Sequence, residues 1–374
     1  MSLLFSPFTF DAPRGPLTLP NRIVIAPMCQ YSARDGRATD WHLSHWTQLL
    51  NSGAGMLVIE ATAVSAEGRI TPGCLGLWDE ATATALHDTL SRARRNAPPM
   101  PVCLQIGHAG RKASSQVPWH GGMLIQPEDG GWRPLAPSAL PHQPQEAAPQ
   151  ELTLEGIDNI RADFLATARH AQALGLEALE LHAAHGYLLH EFLSPLSNQR
   201  NDAYGGSFDN RTRLIREVFA GVRQVFDGTL GIRLSGTDWV AGGWTVQESV
   251  QLSRVLRTAG AQYVHMSSGG ISPQQKIALG PGYQVPLARA VRDATGVPTI
   301  AVGLITEPAQ AEAVLANGDA DLVALARAFL YNPRWGWSAA AALQGQVQAQ
   351  PQYWRCLPGQ ATGVFGPGAR IGMR

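Results

Sequence analysis

The sequence predicts an α/β chain closed into a (β/α)8 TIM barrel. Three observations predict it. Eight short, nearly continuous apolar runs recur along the 374 residues. Segments with helical apolar spacing lie between them. No GxGxxG follows the first run, which sets aside the doubly wound open sheet. Strands buried on both faces read as unbroken apolar runs, and strand–helix alternation is how a parallel sheet is built from its own crossovers.

The elements follow in order. RIVIAP (Arg22–Pro27) is the first strand, and TDWHLSHWTQLLNSG after it has a Thr/Asp start and a Gly stop for a helix. MLVIEAT (Met56–Thr62) and VCLQI (Val102–Ile106) are the second and third strands. A Pro/Gly/Trp-rich insertion, about 107–152, comes next; a connection that long in a compact domain is expected to cap a site. Leu154–Leu174 is helical and leads to ALELH (Ala178–His182). Asn210–Val225 leads to LGIRL (Leu230–Leu234), and Thr245–Ala259 to YVHMS (Tyr263–Ser267). TIAVG (Thr299–Gly303) precedes a helix, Thr306–Ala316, with an early proline and a closing Gly318. DLVALA (Asp321–Ala326) and a last helix, Pro333–Leu343, end the pattern. The tail, about 344–374, is polar and Gly-rich with no evident core face. Residues 1–374 read as a single TIM-barrel domain with one capping insertion and one tail.

Composition narrows the function classes. Lys plus Arg equals Asp plus Glu at 29 each, so no global field draws nucleic acid or an anionic membrane. Four scattered cysteines form no CxxC pair, which argues against structural zinc or an iron–sulfur cluster. MSLLFSPFTFDAP lacks the basic and apolar parts of a signal peptide, and no run is long enough to span a membrane. A cytoplasmic setting is the expectation.

In this fold the chemistry belongs at the C-terminal ends of the strands. Those ends carry Pro27-Met28-Cys29-Gln30-Tyr31, Glu60-Ala61-Thr62, Gln105 with His108 and Arg111-Lys112, and then HAAHGYLLHEF from His182. Arg233, Ser267-Ser268-Gly269-Gly270, Gly303 and Ala326-Arg327 follow. The last three ends suit a phosphate, with small residues for backbone approach and Arg327 as a fork; plain turn glycines would look the same. His182 and His185 fit either a metal or a pair of hydrogen-bond donors, but no further ligand stands in a fitting motif.

At these residues the chain resembles the old yellow enzyme family, in its thermophilic-like, xenobiotic reductase-like subclass. The carrying motifs are NRIVIAPMCQYSARDG, EATAVSAEGRITPG, LQIGHAGRKAS, HAAHGYLLHEFLSPLSNQRNDAYGGSFDNR, GIRLSGTDW, MSSGG, PGYQV and ADLVALARAFL, from about Asn21 to Pro333. The resemblance implies bound FMN, NADPH or NADH as hydride donor, and reduction of the activated C=C bond of enones or nitro compounds by hydride from flavin N5. It implies a flavin lined by Ala26, Pro27, Met28, Cys29 and Ala61, with Gln105 on its pyrimidine edge, Arg233 near N1, and Gly303, Ala326 and Arg327 at the phosphate. The family usually has Gly-Arg where this chain has Ala326-Arg327. His182 and His185 would hold the substrate oxygen, Tyr187 would donate the proton, Cys29 would tune the flavin, and Tyr31 would touch substrate. On the cap loop, Lys112 and Arg111 would stand near flavin or NADPH, or equally form a solvated pair, and Trp119 and Trp132 are expected to wall the pocket. Arg355, in Gln352-Tyr353-Trp354-Arg355, resembles the arginine this subclass sends into a neighbouring subunit, which implies a homodimer or homotetramer. The competing readings are a flavin barrel with another acceptor, a flavin-binding protein without turnover, and a metal-dependent hydrolase using His182 and His185.

Overall fold

The computed structural model describes residues 2–357, 361 and 363–369. Eight parallel strands close into a barrel: β1 (Ile23–Ile25), β2 (Met56–Ala63), β3 (Val102–Gly107), β4 (Ala178–Ala183), β5 (Thr229–Ser235), β6 (Tyr263–Ser267), β7 (Thr299–Ala301) and β8 (Leu322–Leu325). The eight expected runs are these eight strands: β1, β7 and β8 are shorter by one or two residues at one or both ends, β2 to β5 are longer by one residue at one or both ends, and β6 is unchanged. β8 pairs with β1 to close the ring.

Alternation along each strand divides the core in two. Ile23, Ile25, Leu57, Leu104, Leu179, Leu181, Ile232 and Val264 face out and meet the helices. Val24, Met56, Val58, Cys103, Ala178, Tyr263, Ile300 and Leu322 face the barrel axis. That is the period-two geometry of a strand buried on both sides. A short N-terminal hairpin, Phe8–Phe10 with Leu17–Leu19, sends Phe10 and Leu19 into the inner cluster and closes the lower end of the barrel.

The helices are α1 (Asp40–Leu50), α2 (Glu80–Arg94), α3 (Leu154–Ala173), α4 (Leu188–Leu193), α5 (Phe208–Val225), α6 (Val246–Thr258), α7 (Val285–Thr295), α8 (Pro308–Ala316), α9 (Arg327–Tyr331) and α10 (Trp335–Leu343). The expected helices are all present. Two barrel helices, α2 and α7, were not anticipated. α2 buries mostly small side chains, Thr82, Ala83, Thr89 and Ala93, around Leu86 and Leu90, so its apolar stripe is faint. Its start is nonetheless marked: Asp79 accepts from the Thr82 amide at 2.8 Å. α7 follows a long Gly/Pro-rich loop and ends at Gly296, φ 66°.

The tail corrects an expectation. Val347, Val364 and Phe365 form a satellite apolar cluster with Ala340, backed by Trp337 and Trp354. Tyr353 and Phe365 each meet the Trp337 ring edge-on, at 5.5 and 4.9 Å. The tail thus has a core face, hidden in sequence because single apolar residues are spread among Gln and Gly.

Candidate functional site

β4 delivers the central residues. Glu180 and His182 share its inner face, two residues apart, and His182 reaches the rim. The chain then turns sharply, with His185 at φ 60° and Gly186 at φ 74°. The Gly186 turn fits only because neither backbone carries bulk there: a Cβ on Gly186 would lie 2.1 Å from the Gly270 carbonyl oxygen, and one on Gly270 2.5 Å from His185 backbone.

This strained corner is held from every side. The His185 amide donates to Ser235 Oγ at 2.9 Å, and that hydroxyl donates to the Gly269 carbonyl. Lys112 Nζ donates to the carbonyls of His185 and Gly270, each at 2.8 Å. The Gly186 amide donates to His190 Nδ1 at 2.9 Å. His190 must then carry its proton on Nε2, which lies 2.8 Å from Asp238 Oδ1. Ser194 Oγ and the Trp244 amide donate to the other oxygen of Asp238. These partners fix the rings of His185 and Tyr187 on either side of the turn.

The three side chains converge. The His182 ring centre lies 5.1 Å from that of His185 and 4.9 Å from that of Tyr187, both edge-on. The Ala184 amide donates to His182 Nδ1 at 3.3 Å, which puts the proton on Nε2. That Nε2 faces His185 Nδ1 at 3.3 Å, and His185 Nε2 lies 2.6 Å from Ser267 Oγ. The histidine–histidine contact is the longer of these two, so a ligand oxygen can replace it at small cost. Burial, then the nearby Arg233 charge, holds both imidazoles well below their usual pKa, so they are neutral donors. Burial pushes the Tyr187 phenol well above its usual range, so it stays protonated. Tyr187 lines a cavity of about 240 Å³ with Tyr31, Lys112, Gln116, Leu124 and His142.

Below the rim the barrel interior is polar. Gln105 Nε2 donates to Glu180 Oε1 at 2.7 Å, and His265 Nδ1 lies 3.0 Å from Glu180 Oε2. Arg233 is buried, and its Nε has no partner. At the ends of β6 and β7, Gly269 (φ 68°), Gly270 (φ 94°) and Gly303 (φ 123°) form tight turns. Ala326 is the first residue before α9, and Arg327 is exposed with no ion pair among the described residues.

The β1 end lies across the mouth. The Gln30 amide donates to Glu60 Oε2 at 2.7 Å, and Gln30 Nε2 to the Met28 carbonyl, which folds Pro27–Tyr31 inward. Cys29 is half-buried; burial and then Cys74 and Glu60 push its thiol well above the usual pKa, so it is neutral. Tyr31, at φ 52°, meets Trp119 edge-on at 5.8 Å.

Several expectations change here. Lys112 and Arg111 are not a solvated pair: Lys112 is latched on two carbonyls, and Arg111 donates to the carbonyls of Leu140 and Ile271. Trp119 touches Tyr31, but Trp132 packs on Arg69 and donates to the Glu67 carbonyl, away from that cavity wall. Arg355 is exposed on a short helix, Pro351–Cys356, in a tail that packs beside Pro20, Asn21 and Pro98 at the lower end of the barrel. Its own chain's rim is at the other end. Among the described residues no three His, Cys, Asp or Glu side chains group as metal ligands. Sequence reasoning missed Ser235, Asp238 and the role of Glu180. Only Glu180 left a signal, an acid in the middle of an apolar run.

A family model described as NADH:flavin oxidoreductase / NADH oxidase matches residues 3–346. An NADPH dehydrogenase of Geobacillus thermodenitrificans is 42% identical over 356 residues, covering 95% of this chain and 98% of that protein. Morphinone reductase, solved in complex with tetrahydroNAD, superposes with a TM-score of 0.75 at 25% identity, covering 92% of each chain. The old yellow enzyme homologue from Zymomonas mobilis superposes at 0.72 and 25% identity, covering 92% of this chain and 94% of that one.

Proposed function

The chain belongs to the NADH:flavin oxidoreductase / NADH oxidase family, and on that premise we propose that it reduces the activated C=C bond of α,β-unsaturated carbonyl or nitro compounds. It is an oxidoreductase with FMN and NADPH or NADH as its cofactors. The observation that carries the finer reading is the convergence of His182, His185 and Tyr187, two neutral donors and one protonated phenol, on one rim.

The residues at the mouth fit the flavin. The buried guanidinium of Arg233 has an uncommitted Nε, and Gln105 is anchored on one side only. Ala26, Pro27, Met28, Cys29 and Ala61 would line the ring, Gln105 and Arg233 would take its pyrimidine side, and Gly303, Ala326 and Arg327 would take the phosphate. FMN, when bound, supplies a two-electron carrier that takes hydride from the nicotinamide and returns it to the substrate carbon.

The protein groups do the rest. His182 and His185 donate to the substrate's carbonyl or nitro oxygen and stabilise the charge that builds there as the double bond is reduced. Their neutrality matters, since no buried positive charge has to be carried: His182 gives its Nε2–H, and His185 gives an Nδ1–H in the tautomer whose Nε2 accepts from Ser267 Oγ. Tyr187 holds a proton at its phenolic oxygen for the other carbon. Tyr31, across the mouth, borders the same cavity. Cys29 presents an un-ionised thiol to the ring and so tunes it by polarisability rather than by charge. Arg355 lies in the tail at the lower end of its own barrel; on this reading it serves a neighbouring copy's site within a homodimer or homotetramer.

One anaerobic experiment tests the proposal. The flavin band of the purified protein should bleach with NADPH and return on adding 2-cyclohexenone. With Tyr187→Phe the bleaching should keep its rate while the return slows. A band that bleaches and stays bleached would mean that another acceptor is the substrate. Equal slowing of both arms would remove Tyr187 as proton donor.

A further inference from the structure

Four polar side chains share one level inside the barrel, just under the rim: Gln105, Glu180, Arg233 and His265, on the adjacent strands β3 to β6. All are buried, Glu180 and His265 completely. The register sets Gln105 beside Glu180, and Arg233 beside both His182 and His265. Gly231, the neighbour of Glu180 on β5, has no side chain to fill the axis; the Tyr263 ring stands there instead, 2.2 Å from where a Cβ would be.

Two donors converge on Glu180, Gln105 Nε2 on one oxygen and His265 Nδ1 on the other. A carboxylate with a donor on each oxygen and a guanidinium on the next strand favours its ionised form, against the pull of burial. Burial would raise its pKa, but His265 and then Arg233 outweigh that and hold it below the ordinary value. Yet no carboxylate lies within ion-pair distance of Arg233 among the described residues. The two charges therefore balance across the level without being spent on each other. A lone buried guanidinium is costly to desolvate. Glu180 offsets that cost and leaves the Arg233 donors open.

Glu180 also decides which way Gln105 points. An amide has a donor end and an acceptor end. Reversing Gln105 would set its oxygen against a carboxylate oxygen at 2.7 Å. The ionised acid thus keeps Nε2 engaged and the amide oxygen as the free acceptor, which suits the imide N–H of a flavin's pyrimidine ring.

We infer that Glu180 is the positioning residue of the flavin's pyrimidine side: it orients Gln105 and, as a buried carboxylate, offsets the charge of Arg233. The inference rests on the FMN reading above.

Glu180→Gln in the holoprotein tests it, since that change removes the charge and keeps the shape. The midpoint potential of bound FMN should rise, because an unopposed Arg233 favours the negative charge of reduced flavin. We expect at least a tenfold shift in the ratio of reduced to oxidised flavin, about 30 mV for a two-electron couple. Apoprotein of the variant should also bind FMN about tenfold more weakly in a fluorescence titration, because Gln105 is then free to flip. A folded variant with unchanged potential and affinity overturns the inference, and so does a fall in potential. The carboxyl 13C signal of Glu180 in wild-type protein gives a measure that needs no variant to fold. It should be that of an ionised group from about pH 5 to pH 8, and a neutral carboxyl there overturns the inference too. Wild-type protein that takes up no FMN would instead remove the cofactor reading itself.

Discussion

The same eight strands build two unlike floors inside one barrel. The lower floor is Val24, Met56, Val58, Cys103, Ile300 and Leu322, plugged by Phe10 and Leu19. The upper floor is Gln105, Glu180, Arg233 and His265, with His182 and Ser267 at its rim. Both are almost without solvent exposure. They differ in what satisfies them. The lower floor needs only volume, because apolar groups have no partners to find. The upper floor is polar: Glu180 is matched by Gln105 and His265, while Arg233 Nε has no partner within the protein, and a buried polar group left unpaired costs about 1–3 kcal/mol. On the proposed reading, stability and chemistry lie two residues apart along β3 and β4, where Cys103 precedes Gln105 and Ala178 precedes Glu180, and substitutions should separate them too.

The largest effect should come from the rim. The double variant His182→Ala, His185→Ala should lower kcat/KM for an enone by about 10²–10³, with FMN absorbance and melting temperature close to wild type. Wild-type turnover in that variant would break the division at its functional end. The lower floor should behave in the opposite way. Ile300→Ala should cost about 2–5 kcal/mol of stability by opening a cavity, read as a lower denaturant midpoint, with kcat for the same enone nearly unchanged. A loss of kcat larger than the loss of stability would show that the floors are coupled.

The smallest effect sharpens the comparison at the border of the polar region. Glu191 on α4 is fully buried; Oε1 accepts the Arg111 amide and Oε2 has no partner. Burial raises its carboxyl from 4.5 to about 8. The folded chain therefore holds a proton that the unfolded chain releases above pH 4.5. Its stabilising contribution is full below about 4.5 and is lost as pH rises towards about 8. Glu191→Gln should thus stabilise the protein at pH 8 by about 2 kcal/mol, with the advantage vanishing near pH 4.5. Equal melting shifts at both pH values would show that the carboxyl does not titrate across this range.

The difference between the floors also explains what could be read before the structure. Barrel closure followed from eight apolar runs because burial on both faces forces that pattern. The rim followed from the strand ends, and HAAHGYLLHEF carried it through resemblance. Lys112 was left undecided because its role depends on the carbonyls of His185 and Gly270, which are 73 and 158 residues away along the chain. α2 went unnoticed because alanine and threonine make a buried face without a strong period. The tail's small core was missed because it needs α10, Val347 and Phe365 together.

The sequence by itself determined the barrel, the inner and outer faces of its strands, and the strand ends where chemistry gathers. Those follow from local periodicity, in which each residue needs only its own neighbours along the chain. Only the tertiary structure decided which polar atoms meet: Glu180 between Gln105 and His265, Asp238 behind His190, Ser267 against His185. A hydrogen bond is a matter of a few tenths of an ångström between residues far apart in sequence, and no pattern in one strand carries that information.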